Sequence, residues 1–184
     1  MKTKLSLFDN SLFSPGGGIV KRIFWYLTNA IIFRTTVFPV NGLKIFLLRV
    51  FGCIVGKDVH IKPCVNIKYP WKLKVGNAVW IGENVWIDNL DEVIIKDNVC
   101  ISQGAMLLTG NHNYKKTTFD LIVEPIKLEE GVWVGAKSTV CPGVTCKSHS
   151  VLTVGSVATK DLEAYSIYQG VPAIKVKDRK FSDE

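Results

Sequence analysis

The chain has no uninterrupted apolar run near the roughly 18–20 residues of a membrane span, although 47% of its 184 residues are hydrophobic. It lacks the C-x-x-C pairs that hold structural zinc, and it has only three histidines, His60, His112 and His149. No metal is therefore expected. The five cysteines are Cys53, Cys64, Cys100, Cys141 and Cys146. An odd count, with no secretory leader pattern at the N-terminus, points to reduced, buried thiols in a cytoplasmic protein. Acids are scarce at one end: residues 1–53 carry Asp9 against Lys2, Lys4, Lys21, Arg22, Arg34, Lys44 and Arg49. The net charge of +7 is thus +6 in that segment and +1 in the rest. A nucleic-acid binder carries its basic stripe on the folded domain, so no nucleic-acid partner is expected. Gly16-Gly17-Gly18 has no strand before it and no Lys-Ser/Thr after it, and reads as a turn rather than a phosphate loop.

What the chain does have is a period of six. An aliphatic or small residue recurs at Leu128, Val134, Val140, Cys146, Leu152 and Ala158, and four places after each comes another small or aliphatic residue. The same step runs through Val55, Ile61, Ile67, then Val75, Ile81, Ile87, then Ile95, Ile101, Leu107. Six is neither the helical period nor simple strand alternation. It is a short strand plus a turn, repeated. Between trios the step widens to eight, at Leu73-Lys74 and Val93-Ile94. Three strands per coil, with the extra residues always at one corner, describe a three-sided prism of about five coils. The third visit to that corner holds a longer insertion, residues 113–127.

The domain plan follows. Residues 1–52 form an N-terminal helical segment, 53–163 the all-β solenoid, and 164–184 a tail. Ile19 to Phe33 reads as a helix with Val20, Phe24, Leu27 and Ile31 on one face. After a turn at Pro39 to Gly42, Leu43 to Phe51 reads as a second, with Leu43, Phe46, Leu47 and Val50 at helical spacing. Two roles stand open. The helices cap the open end of the first coil, whose backbone groups need partners, or they lie on a membrane surface. One face for each role reconciles the two.

Val132 to Thr145, followed by Val-Gly-Ser-Val-Ala-Thr-Lys-Asp at 154–161 and Gly-Val-Pro-Ala at 170–173, resembles the hexapeptide-repeat acyltransferases, in particular the O-acetyltransferases of colanic-acid and related exopolysaccharide biosynthesis. The resemblance spans nearly the whole chain. It implies a left-handed parallel β-helix and acetyl-CoA as donor. The hand comes from the resemblance alone, because the general crossover rule favours right. The hexads also occur in γ-class carbonic anhydrases and some sugar-nucleotide enzymes. The metal chemistry of the former needs further histidines five residues from His112, where Leu107 and Thr117 stand.

The resemblance implies a site. His112, in Thr109-Gly-Asn-His-Asn113 at the mouth of the insertion, takes the family's general-base position. A neutral imidazole is a suitable proton acceptor near pH 7. By itself, a histidine at a loop mouth is more often a solvated turn residue. Trp133 matches the aromatic beside the cofactor's arm, Ala136 and Val154 match backbone contacts, and Thr159 and Lys160 match the nucleotide end. The family's basic residue after Gly-x-Pro is replaced by Ile174, leaving Lys175 and Lys177 for the phosphates. Asp88 and Asn89, one coil earlier, are candidates for the saccharide acceptor, with a plain Asp-Asn-Leu-Asp turn as the equal alternative. Family members are homotrimers with sites between subunits. The leading expectation is a direct acetyl transfer to a sugar hydroxyl, cytoplasmic or peripheral to the membrane. N-acetylation of an amino sugar and a non-catalytic membrane scaffold are the rivals.

Overall fold

Each six-residue step turns one corner of a triangle. The structure, a computed structural model, describes residues 2–11 and 13–182; residues 1, 12, 183 and 184 of the expected terminal segments lie outside it. The first coil is β1 (Ile54–Val55), β2 (His60–Ile61) and β3 (Asn66–Ile67). The second is β4 (Leu73–Val75), β5 (Trp80–Ile81) and β6 (Trp86–Asp88), and the third β7 (Val93–Ile95), β8 (Cys100–Ile101) and β9 (Met106–Leu108). A hairpin, β10 (Gly110–His112) with β11 (Leu121–Val123), then leaves the prism. The fourth coil is β12 (Ile126–Leu128), β13 (Trp133–Val134) and β14 (Thr139–Val140), and the fifth β15 (Thr145–Cys146), β16 (Val151–Leu152) and β17 (Val157–Ala158).

Strands stack in parallel, in register, on three sides. The first side runs β1-β4-β7-β12-β15, the second β2-β5-β8-β13-β16, and the third β3-β6-β9-β14-β17. Every hexad position named above is buried, so the ladder Val55, Val75, Ile95, Leu128, Cys146 fills one wall of the core. Each such aliphatic contributes about 1.5–3 kcal/mol of burial before ordering entropy is counted. The tight corners need backbone in the left-handed region, met by Asn84 (φ 57°), Asn98 (φ 59°) and Gly104 (φ 68°). Gly135 has no such φ; it is there because a Cβ would sit 2.7 Å from the Leu152 carbonyl oxygen of the next coil.

The expectations for the insertion, the tail and the thiols change. The insertion is the hairpin from Gly110 to Val123, and Ile126–Leu128 belongs to the prism, pairing with β7. Counting from the hexad after His112 hides this, because β12 restarts the repeat with an extra inward residue, Ile126. The expected tail is structured over most of its described residues. β18 (Ser166–Gly170) stacks on β16 and returns through β19 (Ala173–Asp178), which covers the last rung of the second side. The Cys146–Leu162 bridge begins the same sixth turn. Only Cys53 and Cys146 are buried; Cys64, Cys100 and Cys141 are half-buried, and all five are free.

The helices cap the first coil largely with another face than the one expected, although Leu47 of the expected set does pack against the core. In α1 (Ile19–Thr28), prolonged by a wider turn over Asn29–Phe33, Trp25, Asn29 and Phe33 point inward. In α2 (Asn41–Val50), which begins inside the expected turn, Lys44 and Leu48 do. Val20, Phe24, Leu27, Ile31, Phe46 and Val50 face out, all 48–63% exposed. The reason is the polar demand of an open solenoid end. Arg49 donates to the Val55 and Gly56 carbonyls at 2.9 Å. Asn41 donates to the Val59 carbonyl and accepts from the Ile61 amide, both at 2.8 Å. Trp25 Nε1 donates to the Ile67 carbonyl at 2.9 Å, and Asn29 Oδ1 accepts the Ile67 amide. A purely aliphatic face could not do this. Among the described residues no helix is long and apolar enough to cross a membrane.

Candidate active site

His112 ends β10, on a hairpin leaving the corner between the third and first sides. It is therefore not on the third coil itself. Its Nδ1 lies 2.9 Å from the Phe119 carbonyl oxygen. A carbonyl only accepts, so Nδ1 carries a proton and, in the neutral ring, Nε2 keeps its lone pair. The Phe119 ring stacks on the imidazole at 4.4 Å and 6°. Phe119 holds φ at 54°, unusual for a bulky residue, and that conformation turns both its carbonyl and its ring toward His112. Phe8 lies 5.6 Å from the imidazole, and the Lys4 amide bonds the Thr117 carbonyl at 2.8 Å. The N-terminal strap thus holds the hairpin that carries His112. Neither phenylalanine stood out in the sequence, since no local spacing links residues 8, 112 and 119.

One coil below, Asp88 ends β6. It pairs with Lys68 at 2.8 Å, and its carbonyl accepts from Thr109 Oγ1 at 3.1 Å at the root of the hairpin. Asn89 has a different job. It is fully buried, donating to the Tyr69 carbonyl at 2.6 Å and accepting the Tyr69 amide at 3.0 Å. Its amide stitches two coils together and has no exposed surface to offer an acceptor.

The candidate cofactor residues fall on two lines. Trp133 stands outward on the second side, 47% exposed, its Nε1 donating to Ser102 Oγ at 2.9 Å. Ala136 and Val154 lie at the next corner, with Val154 70% exposed. Thr159 and Lys160 are exposed after β17, at the corner column from which the His112 hairpin also springs. Lys175 is held by Glu163 at 2.9 Å and Asp178 at 3.0 Å, and both carboxylates raise its pKa. Its charge is already answered, which leaves Lys177 and Lys160 as the freer cations. The resemblance expects an outward aromatic, open backbone and a cation along the donor's arm, and Trp133, the corner of Ala136 and Val154, and Lys160 are exposed or half-buried there. One prism, however, places Trp133 and His112 on different sides.

His60 faces out from β2, edge-on to Trp80 at 5.7 Å, and His149 occupies a corner with φ 58° against Tyr165. Among the described residues no group of three potential metal ligands occurs.

Comparison with known proteins bears on this arrangement. No family model matches the chain. It is 35% identical over 164 residues to the "Putative colanic acid biosynthesis acetyltransferase WcaF" of Escherichia coli K12, covering 89% of this chain and 90% of that one. Its structure superposes on a hexapeptide-repeat-containing acetyltransferase of Vibrio cholerae complexed with acetyl coenzyme A, with a TM-score of 0.79, 21% identity and 88% of each chain covered. A galactoside acetyltransferase in complex with coenzyme A gives 0.77 at 23% identity, over 88% of this chain and 82% of that one. The prism is therefore a left-handed parallel β-helix.

Proposed function

Because the chain belongs to the hexapeptide-repeat acetyltransferases, we propose that it transfers acetyl from acetyl-CoA to a saccharide hydroxyl in exopolysaccharide synthesis of the colanic-acid type, with His112 as general base. The observation that carries this reading is the His112 ring. Nδ1–H is committed to the Phe119 carbonyl, so the lone pair of Nε2 is free to receive a proton. The donor supplies an acyl group already activated as a thioester. His112 takes the hydroxyl proton as that oxygen attacks, and gives it to the departing sulfur. Phe119 and Phe8 fix the ring, and Asp88 faces the acceptor. Trp133, Ala136 and Val154 hold the donor's arm, with Thr159, Lys160 and Lys177 at its phosphates.

The working unit on this reading is a homotrimer, because the His112 corner and the Trp133 side lie on different sides of one prism and a neighbouring prism closes the gap. The outward face of the helices rests on an anionic membrane surface at the cytoplasmic side. It presents Val20, Phe24, Leu27 and Phe46, and its segment carries Lys2, Lys4 and Arg34 against Asp9 alone.

The test is transfer from radiolabelled acetyl-CoA to a panel of hexoses and amino sugars. Product labile to hydroxylamine marks an ester, and stable product an amide. Ester formation is expected; amide alone moves the assignment to an N-acetyltransferase. Absence of thermal stabilisation by CoA leaves a scaffold instead.

A further inference from the structure

A cavity of about 520 Å³ lies between α1 and the third side of the first two coils. Arg22, Arg34 and Lys68 supply its cations and Asp88 its one carboxylate. Asp88 is occupied by Lys68, at 2.8 Å. Two guanidinium groups remain with no ion pair among the described residues, and Arg22 Nε is buried without a hydrogen-bond partner. An uncompensated, partly desolvated arginine is costly unless an anion meets it. Planar guanidinium forks suit phosphate oxygens best.

The remaining lining says what is attached to the anion. Tyr26, Trp71 and Trp86 present aromatic surface, with Trp86 39% exposed. Flat rings beside a few polar groups are what the apolar face of a pyranose requires. Asp88 sits under Thr109, at the root of the hairpin bearing His112. On the opposite rim, Ile19, Ile23 and Leu27 line the cavity and are also 48–65% exposed, so the opening merges with the apolar outer face of α1. Arg22 stands between Ile19 and Ile23 on α1, so a cation and the apolar lip share that wall of the cavity.

We infer that this cavity binds the phosphate of a glycosyl phosphate or diphosphate, with the sugar against Trp86 and Asp88 and its far end toward His112. The orientation of the sugar rests on the acetyl-transfer reading; the phosphate site does not. The apolar lip receives an alkyl chain where the phosphate is lipid-linked, and stays bare where it is free.

Intrinsic tryptophan fluorescence of the full chain, titrated at low salt, tests this. Glucose 1-phosphate should bind at least about tenfold more tightly than glucose, and the difference should shrink with salt. Arg22→Ala and Arg34→Ala should each remove most of that preference and leave glucose unchanged. Arg34 is exposed, so its variant keeps the fold even if the Arg22 variant does not. Decyl glucosyl phosphate separates the sources. Tighter binding than glucose 1-phosphate marks a membrane-borne ligand and equal binding a soluble one, and either keeps the phosphate site. No preference for the phosphate, no binding of any probe, or a preference indifferent to both arginines overturns it. CoA-dependent melting and transfer to neutral sugars, measured alongside, report separately on the catalytic reading.

Discussion

Phe119 meets His112 twice, through its carbonyl at 2.9 Å from Nδ1 and through its ring stacked at 4.4 Å. One residue therefore sets both the tautomer and the plane of the imidazole. His112→Ala should cut acetyl transfer by roughly 10²–10⁴-fold, the usual weight of a positioned base. CoA-dependent thermal stabilisation should persist. Turnover within threefold of the parent protein would remove His112 from the reaction.

Phe119→Ala keeps the carbonyl and deletes the stacked ring. Loss of one aromatic pair costs about 0.5–1.5 kcal/mol in holding the imidazole. Transfer should drop by about tenfold in kcat with little change in KM, read from initial rates. A pure KM effect would place Phe119 in ligand binding instead.

Lys44 is fully buried beneath the first coil, donating to the Lys62 carbonyl at 2.9 Å, and burial pushes its pKa down. Lys44→Ala leaves a void and unpaired carbonyls, and should cost about 2–4 kcal/mol by denaturant unfolding. Lys44→Met should recover part of the loss, since it refills the space but supplies no donor. An unchanged midpoint in the alanine variant would show that the cap does not contribute to stability.

Burial pushes the Cys53 and Cys146 thiols up to about 12. The unfolded chain loses those protons near 9, so between pH 9 and 12 the folded state binds more protons. Stability from this source is intact below pH 9 and falls as pH rises toward 12. Cys146→Val should flatten that alkaline decline in unfolding curves taken from pH 8 to 11. Native protein at pH 8 should leave both thiols unreacted with iodoacetamide, checked by peptide mass analysis.

The outward face of the helices should bind phosphatidylglycerol vesicles more strongly than phosphatidylcholine ones in co-sedimentation. Phe24→Ser combined with Phe46→Ser should abolish binding without lowering the unfolding midpoint, because both rings are about 60% exposed. A smaller assembly in the double variant than in the parent protein, by light scattering, would instead make the face a contact between copies.

The inward residues of the five hexad trios were legible, because each coil contacts only its neighbours and every hexad sees the same environment, whereas Ile126 and the sixth turn were not. Ile61, Ile81, Ile101 and Val134 needed no long-range information to be placed. The helices were legible in extent but not in orientation. Hydrophobic spacing assigns the aliphatic stripe to the core, yet what α1 and α2 cover is a ring of unpaired backbone groups. Trp25, Asn29, Asn41, Lys44 and Arg49 answer that ring, and periodicity does not register such a demand.

The order of residues by itself determined a triangular coil, its corner and the position of His112 beside an insertion, since a period of six is a local property of the chain. Tertiary structure decided which nitrogen of His112 is free, that Asn89 is a buried stitch, and that two arginines share a cavity with Trp71 and Trp86. Each of these depends on groups far apart in sequence whose meeting is set by the stacking of coils and the docking of the cap.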